Sequence, residues 1–143
     1  MGLMRECFVL VLVLFFSAFG QSQELKSSDG YLIKSIYFGG GNAYIDQFQK
    51  QEIIQFLDTI PNVLSYTISI HSHTDDIGGQ AYNAWLSQLR SERTVLILAE
   101  YGFNPEAMEI KDFGMLNPIY DNDTFVGRLK NRRVDIIFWP QVM

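Results

Sequence analysis

Cysteine is almost absent from this chain of 143 residues: the single one is Cys7. A disulfide framework, a cysteine-built zinc cluster and a paired redox motif are therefore excluded, and a thiol nucleophile beyond residue 7 is excluded with them. Histidine is nearly as scarce, with two residues only, His71 and His73. Catalytic zinc usually takes three protein ligands, so a site built on histidine alone is out of reach. Basic residues are in deficit, 11 Lys and Arg against 16 Asp and Glu, for a net charge of −5. An acidic chain is a poor partner for a phosphate backbone, and no nucleic-acid ligand is expected. Length excludes the eight-unit strand–helix barrels.

Apolar residues, by contrast, are concentrated. Fifteen of the first twenty residues belong to the apolar set, while the remaining 123 are about 44% apolar, an ordinary share for a globular domain. Residues 1–20 read as a secretory signal peptide: Arg5 near the start, an apolar run from Cys7 to Phe16, and small residues at Ala18 and Gly20 before a cut. The run is shorter than the roughly 20 residues of a membrane span, and no basic stop-transfer cluster follows. Export to a bacterial periplasm without a membrane span or thiol is the expectation. Residues 21–30 form a short polar tether and residues 31–143 the folded domain.

Tyr31 to Phe38 reads as a strand entering Gly39-Gly40-Gly41. Ile45, Phe48, Ile53, Ile54 and Leu57 fit a helical face that ends at Pro61-Asn62. Tyr66, Ile68 and Ile70 alternate with Thr67, Ser69 and His71, the pattern of a strand with one face buried. A second helix is expected from Ala81 to Tyr101, packing through Tyr82, Leu86, Leu89 and Leu98 and stopping at Gly102. Met108 to Phe113 is a short strand, Asn117 to Gly127 a loop, and Val134 to Trp139 a last strand. The order implies an α+β fold, a two-layer sandwich in which a mixed βαβαβ-type sheet carries its helices on one face. Right-handed crossovers would put the loops after Phe38 and after His73 at one end of the sheet.

Four ionisable side chains fall within His71-Ser72-His73-Thr74-Asp75-Asp76. His71 and His73 share a strand face, so with Asp75 they could form a metal site supporting a hydrolase; without a third histidine they are read as decoration of that face. No nucleophile-elbow pattern supports a serine triad. On the following helix Asn83, Ser87 and Arg90 line one stripe, with Asp75 in the loop above it. A carboxylate and a guanidinium so placed could hold the two ends of a zwitterion. Alternatively, Arg90 is an exposed helix charge worth under about 1 kcal/mol, and spacing leaves both readings open. Between Arg128 and Arg133 lie four of the basic residues, read as a solvated or ligand-facing edge rather than a nucleic-acid patch. Asn122-Asp123-Thr124 matches a glycosylation sequon, a short pattern common by chance.

Taken together, His73-Thr74-Asp75-Asp76-Ile77-Gly78, Tyr82-Asn83, Leu86-Ser87, Arg90, Gly114, Asn117-Pro118, Gly127 and Asn131-Arg132-Arg133-Val134 closely resemble the OmpA-like C-terminal domain family, over about Leu32 to Phe138. The family includes the peptidoglycan-associated lipoprotein and the periplasmic part of the flagellar stator B subunit. The resemblance implies non-covalent binding of the diaminopimelate in the peptidoglycan stem. By residue match Asp75 would hold its ammonium and Arg90 its carboxylate. Asn83 would add a hydrogen bond, and Arg132 with the Gly39 to Asn42 loop would complete the pocket wall. The chain departs from the family in having Gly39-Gly40-Gly41 where many members place an acidic residue, and Ser72 where Gly is frequent. It is also expected to lack the barrel, lipid anchor or transmembrane helix to which most relatives are fused. The functional expectation is a periplasmic, wall- or outer-membrane-associated module without catalytic activity, metal or cofactor. Its alternatives are a metal-dependent hydrolase on His71, His73 and Asp75, and an interaction subunit of an envelope complex docking through Met115 to Phe125.

Overall fold

The structure, a computed structural model, describes residues 30–141. The signal peptide, Cys7 and all but the last residue of the tether lie outside the described residues. Four strands, β1 (Leu32–Tyr37), β2 (Thr67–His73), β3 (Glu109–Gly114) and β4 (Arg133–Trp139), form one sheet in the order β1-β4-β2-β3. The helices are α1 (Gln47–Asp58), α2 (Gln80–Tyr101) and α3 (Phe125–Asn131), with 3-10 turns at Val63–Ser65 and Pro105–Ala107. Strand β4 runs antiparallel to both β1 and β2, and β2 is parallel to β3. Strands β1, β2 and β3 therefore share one direction, and their C-terminal ends meet the start of β4 at one edge, as the crossover argument requires.

Register sorts the side chains. Ile36 faces Val134, Ile70 faces Ile136 and Ile68 faces Phe138, so these residues lie on one side of the sheet. That side packs on Ile53 and Leu57 of α1 and Ile97 and Leu98 of α2 to form the core. The other side carries Ser35, Asp135, Ser69, His71, His73 and Glu109.

Four expectations are corrected, the first being the face of α1: Phe48 is 79% exposed and Ile45 precedes the helix. Strand β2 is not buried on one face only: Ser69 and His73 are buried with Ile68 and Ile70. A central strand is flanked by neighbours on both sides, and here Trp139 Nε1 donates to Ser69 Oγ at 3.0 Å while Phe113 stacks on His73 at 4.9 Å. The segment read as a loop ends in α3, which begins at Phe125 behind Thr124, whose hydroxyl caps the Gly127 N–H at 2.9 Å. Seven residues with a glycine among them are too few and too weakly helical to show a period. Finally, α2 buries Leu86 and Leu98, but Tyr82 is exposed and Leu89 half-buried. Its buried positions from Asn83 to Thr94 are mostly polar: Asn83, Ser87, Arg90, Ser91 and Thr94. Asn83 and Arg90 donate to loop and strand-end carbonyls, Ser91 to Asp112, and Ser87 and Thr94 to carbonyls of their own helix, so each of the five finds an acceptor there.

Candidate functional site

Arg90 is 1% exposed, so it is not a solvated helix charge. Its Nε donates to the Asn42 carbonyl at 2.8 Å, Nη1 to the His73 carbonyl at 2.9 Å and Nη2 to the Gly39 carbonyl at 3.2 Å. The guanidinium carbon sits 4.7 Å from the centroid of the Phe38 ring. One planar fork thus ties the loop after β1 to the end of β2, which a lysine point charge cannot do. Burial, as the main cause, lowers its pKa to about 10, with Arg132 adding to the shift and Asp75 opposing it. The group remains a cation at neutral pH.

Asp75 stands just beyond β2 and is buried. Its Oδ2 accepts from Arg132 Nε at 2.7 Å and its Oδ1 from the Ile77 N–H at 3.3 Å. Arg132 arrives from the start of β4 and remains partly exposed. Asn83 is fully buried, and its Nδ2 donates to the Ile77 carbonyl at 3.0 Å. It holds the loop that carries Asp75, while its Oδ1 is buried without a hydrogen-bond partner among the described residues. Exposed Asn42 supplies its carbonyl to Arg90 and uses its Oδ1 to accept the Tyr44 N–H at 2.6 Å. All five sequence-predicted residues therefore meet at one sheet edge. Asp75 pairs with Arg132 there, Arg90 braces the Asn42 loop and Asn83 holds the Ile77 turn.

Sequence reasoning missed the Phe38 ring under Arg90 and the role of main-chain carbonyls, because neither leaves a charge or spacing signal. It also misplaced part of the basic run. Arg133 is buried and donates to Asp135 Oδ2 at 2.9 Å, while Ser35 Oγ donates to Asp135 Oδ1 at 2.6 Å. Arg128 donates to the Asn122 carbonyl. As the first residue of β4, Arg133 points to the same sheet face as Asp135 two positions on, so the two pair internally.

His71 and His73 flank one ring, His71 edge-on at 5.5 Å and His73 stacked at 4.9 Å on Phe113. Asp75 is engaged by Arg132, and among the described residues no group of three His, Cys, Asp or Glu is placed to hold a metal ion. Burial first, then the Arg133 charge, lowers the His73 pKa from 6.5 to about 4; Asp135 pulls the other way. Because the unfolded chain then binds the proton more readily, stability is full above about pH 6.5 and falls as pH drops toward 4. Urea unfolding of His73→Phe, which keeps a ring against Phe113, is expected to show a shallower loss between about pH 6.5 and 5, above the ordinary carboxylate range. An unchanged slope would mean that His73 does not drive it.

The OmpA family pattern matches residues 37–132. Among curated proteins, the outer-membrane lipoprotein YfiB of Pseudomonas aeruginosa is 39% identical over 70 residues, covering 49% of this chain and 42% of that protein. Among solved structures, the C-terminal domain of Helicobacter pylori MotB has a TM-score of 0.63 and 26% identity, covering 76% of this chain and 86% of that one. The cell wall anchor of the T6SS from Pseudomonas aeruginosa shares the fold, with a TM-score of 0.64 and 22% identity over 78% of this chain and 82% of that one. The chain spans less than half the length of the first curated relatives it matches, at 42%, 21% and 45% of them.

Proposed function

Because the chain belongs to the OmpA family, matching it over residues 37–132, we propose that it is a non-catalytic, periplasmic module that binds peptidoglycan through the diaminopimelate of the peptide stem. The observation that carries this reading is the charge set at the sheet edge: two guanidiniums, Arg90 and Arg132, surround the one buried carboxylate, Asp75. These three groups sum to one positive charge in a chain of net −5. That composition suits a ligand bringing an ammonium for Asp75 and a carboxylate for the guanidiniums. The internal Asp75–Arg132 pair would be exchanged for the ligand's two ends. Of the five N–H donors of Arg90, three are spent on carbonyls and two remain, one on each Nη. The solved T6SS relative is itself described as a cell wall anchor, which supports the same reading.

The test is co-sedimentation of the purified protein with peptidoglycan sacculi and calorimetric titration with free diaminopimelate. Asp75→Asn keeps shape and removes the charge; it is expected to weaken binding at least tenfold, as a lost buried charge-assisted hydrogen bond costs about 1.5–3 kcal/mol. Wild-type affinity in Asp75→Asn would sink the site, and a wild-type protein that binds neither sacculi nor diaminopimelate would sink the function.

A second reading, an interaction subunit of an envelope complex, is favoured by the exposure of Leu116, Ile119, Phe125 and Val126 around the expected docking loop. On that reading Ile119→Asp abolishes crosslinking to envelope proteins in cells while sacculus binding is unchanged. Crosslinks that persist in the variant rule the loop out as the contact.

A further inference from the structure

Beside the Asp75 mouth, two aromatic side chains stand open at the start of α2: Tyr82 is 41% and Trp85 55% exposed. Their centroids lie 5.8 Å apart with planes tilted by 42°, so the rings adjoin without covering each other's faces. Three residues apart, they sit on one helix face. Tyr82 is held in place by both loops of the mouth. Gly78 has φ +105°, and a Cβ there would fall 2.8 Å from Tyr82 Cδ1; a Cβ on Gly41 would lie 3.1 Å from the Tyr82 hydroxyl. Two loops thus approach a ring that nevertheless keeps a large exposed area. Such exposure of a fixed aromatic is unlike core packing, and it continues directly from the polar opening.

The chemistry of the surrounding helix narrows the occupant. From Gln80 to Leu89 no side chain is charged, and the polar groups at the surface are the amides of Gln80 and Gln88. The helix surface itself offers no counter-charge to a charged peptide or an anionic surface. An uncharged ring with C–H groups on its face and hydroxyls at its rim does match, because Tyr and Trp offer an apolar face and a polar edge. We propose that Tyr82 and Trp85 form a stacking ledge for an amino-sugar ring of the glycan strand, next to the pocket that takes the peptide stem. This inference rests on the peptidoglycan reading above. Two stem residues separate the sugar from diaminopimelate, an extended reach of about 7 Å, so the ledge has to adjoin the pocket.

The experiment compares a free alanyl-glutamyl-diaminopimelate tripeptide, the same tripeptide carrying its disaccharide, and chitotetraose as a sugar-only probe, with wild type and Trp85→Ala. The disaccharide-tripeptide is expected to bind wild type about tenfold more tightly than the tripeptide. Trp85→Ala should erase that difference and leave tripeptide affinity unchanged. Equal affinity of wild type for both ligands, or an equal loss on both in the variant, overturns the ledge and leaves the peptide pocket standing. If neither peptide ligand binds wild type, the peptidoglycan reading fails. The ledge is then decided by tryptophan fluorescence with chitotetraose: quenching that vanishes in Trp85→Ala upholds it, and its absence overturns it.

Discussion

Replacing Arg90 by alanine is expected to lower the unfolding free energy by about 3–5 kcal/mol, the range for truncating a large buried side chain. The His73 carbonyl would lose its donor inside the protein, while those of the exposed Gly39 and Asn42 would turn to water. Unsatisfied buried acceptors carry a desolvation cost that a surface group escapes. The side chain is among the largest fully buried ones, so a cavity forms as well, and Phe38 loses the cation over its ring. Urea unfolding should show the midpoint falling by about 2 M, for a slope of roughly 2 kcal/mol/M. Arg90→Lys is expected to recover only part of the loss, since an ammonium cannot span three acceptors in the plane of a fork. A change within about 0.5 kcal/mol, typical of surface substitutions, would contradict the buried placement. It follows that Arg90→Ala is a poor probe of ligand binding, and that Asp75→Asn is the informative variant.

Gly127→Ala should be the other costly change, with the opposite sign to its local propensity. Alanine is favoured over glycine in a helix interior by about 1 kcal/mol. Here, however, a Cβ on Gly127 would fall 1.8 Å from the Asp121 carbonyl oxygen and 2.8 Å from Thr124 Oγ1. No rotamer relieves a clash with backbone, so the 121–124 turn and the first turn of α3 must separate. That movement breaks the Thr124 cap on the Gly127 N–H. It also strains the bonds by which Asn131 Nδ2 holds the Tyr120 carbonyl and Asn122 Oδ1, each at 2.8 Å. A loss of about 3 kcal/mol is expected, the upper part of the usual range for overpacking. Because Arg132 follows α3 directly, the same variant should also weaken diaminopimelate binding at 25 °C. Unfolding at the wild-type midpoint would show that the turn relaxes freely and that the glycine has no steric role.

Much of the architecture was readable before any coordinates. The strands at Leu32–Tyr37, Thr67–His73, Glu109–Gly114 and Arg133–Trp139 fall within a residue or two of the apolar, β-rich runs that announced them. The long helix from Gln80 to Tyr101 matches its expected span, its end marked by Gly102. Even the shared edge of the two loops followed from the handedness of crossovers. What failed is instructive in kind. Helix α3 hid behind its own glycine. Arg133 looked like part of a basic surface, yet its charge is matched by Asp135 on the same strand.

The sequence alone determined which residues gather at this sheet edge. Asp75, Asn83, Arg90, Arg132 and Asn42 were named from motif and spacing, and chain connectivity suffices to bring them together once the order of strands and helices is known. Their division of labour was decided only by the tertiary structure. Whether an arginine on a helix is a surface charge, a ligand clamp or an internal brace depends on which carbonyls surround it and how much water reaches it. Those come from the loop after β1, 51 and 48 positions away in the chain, and from the end of β2, 17 positions away. Burial and hydrogen bonding are properties of the packed assembly, so they place Arg90 and Asn83 in the interior and leave Arg132 partly exposed beside Asp75.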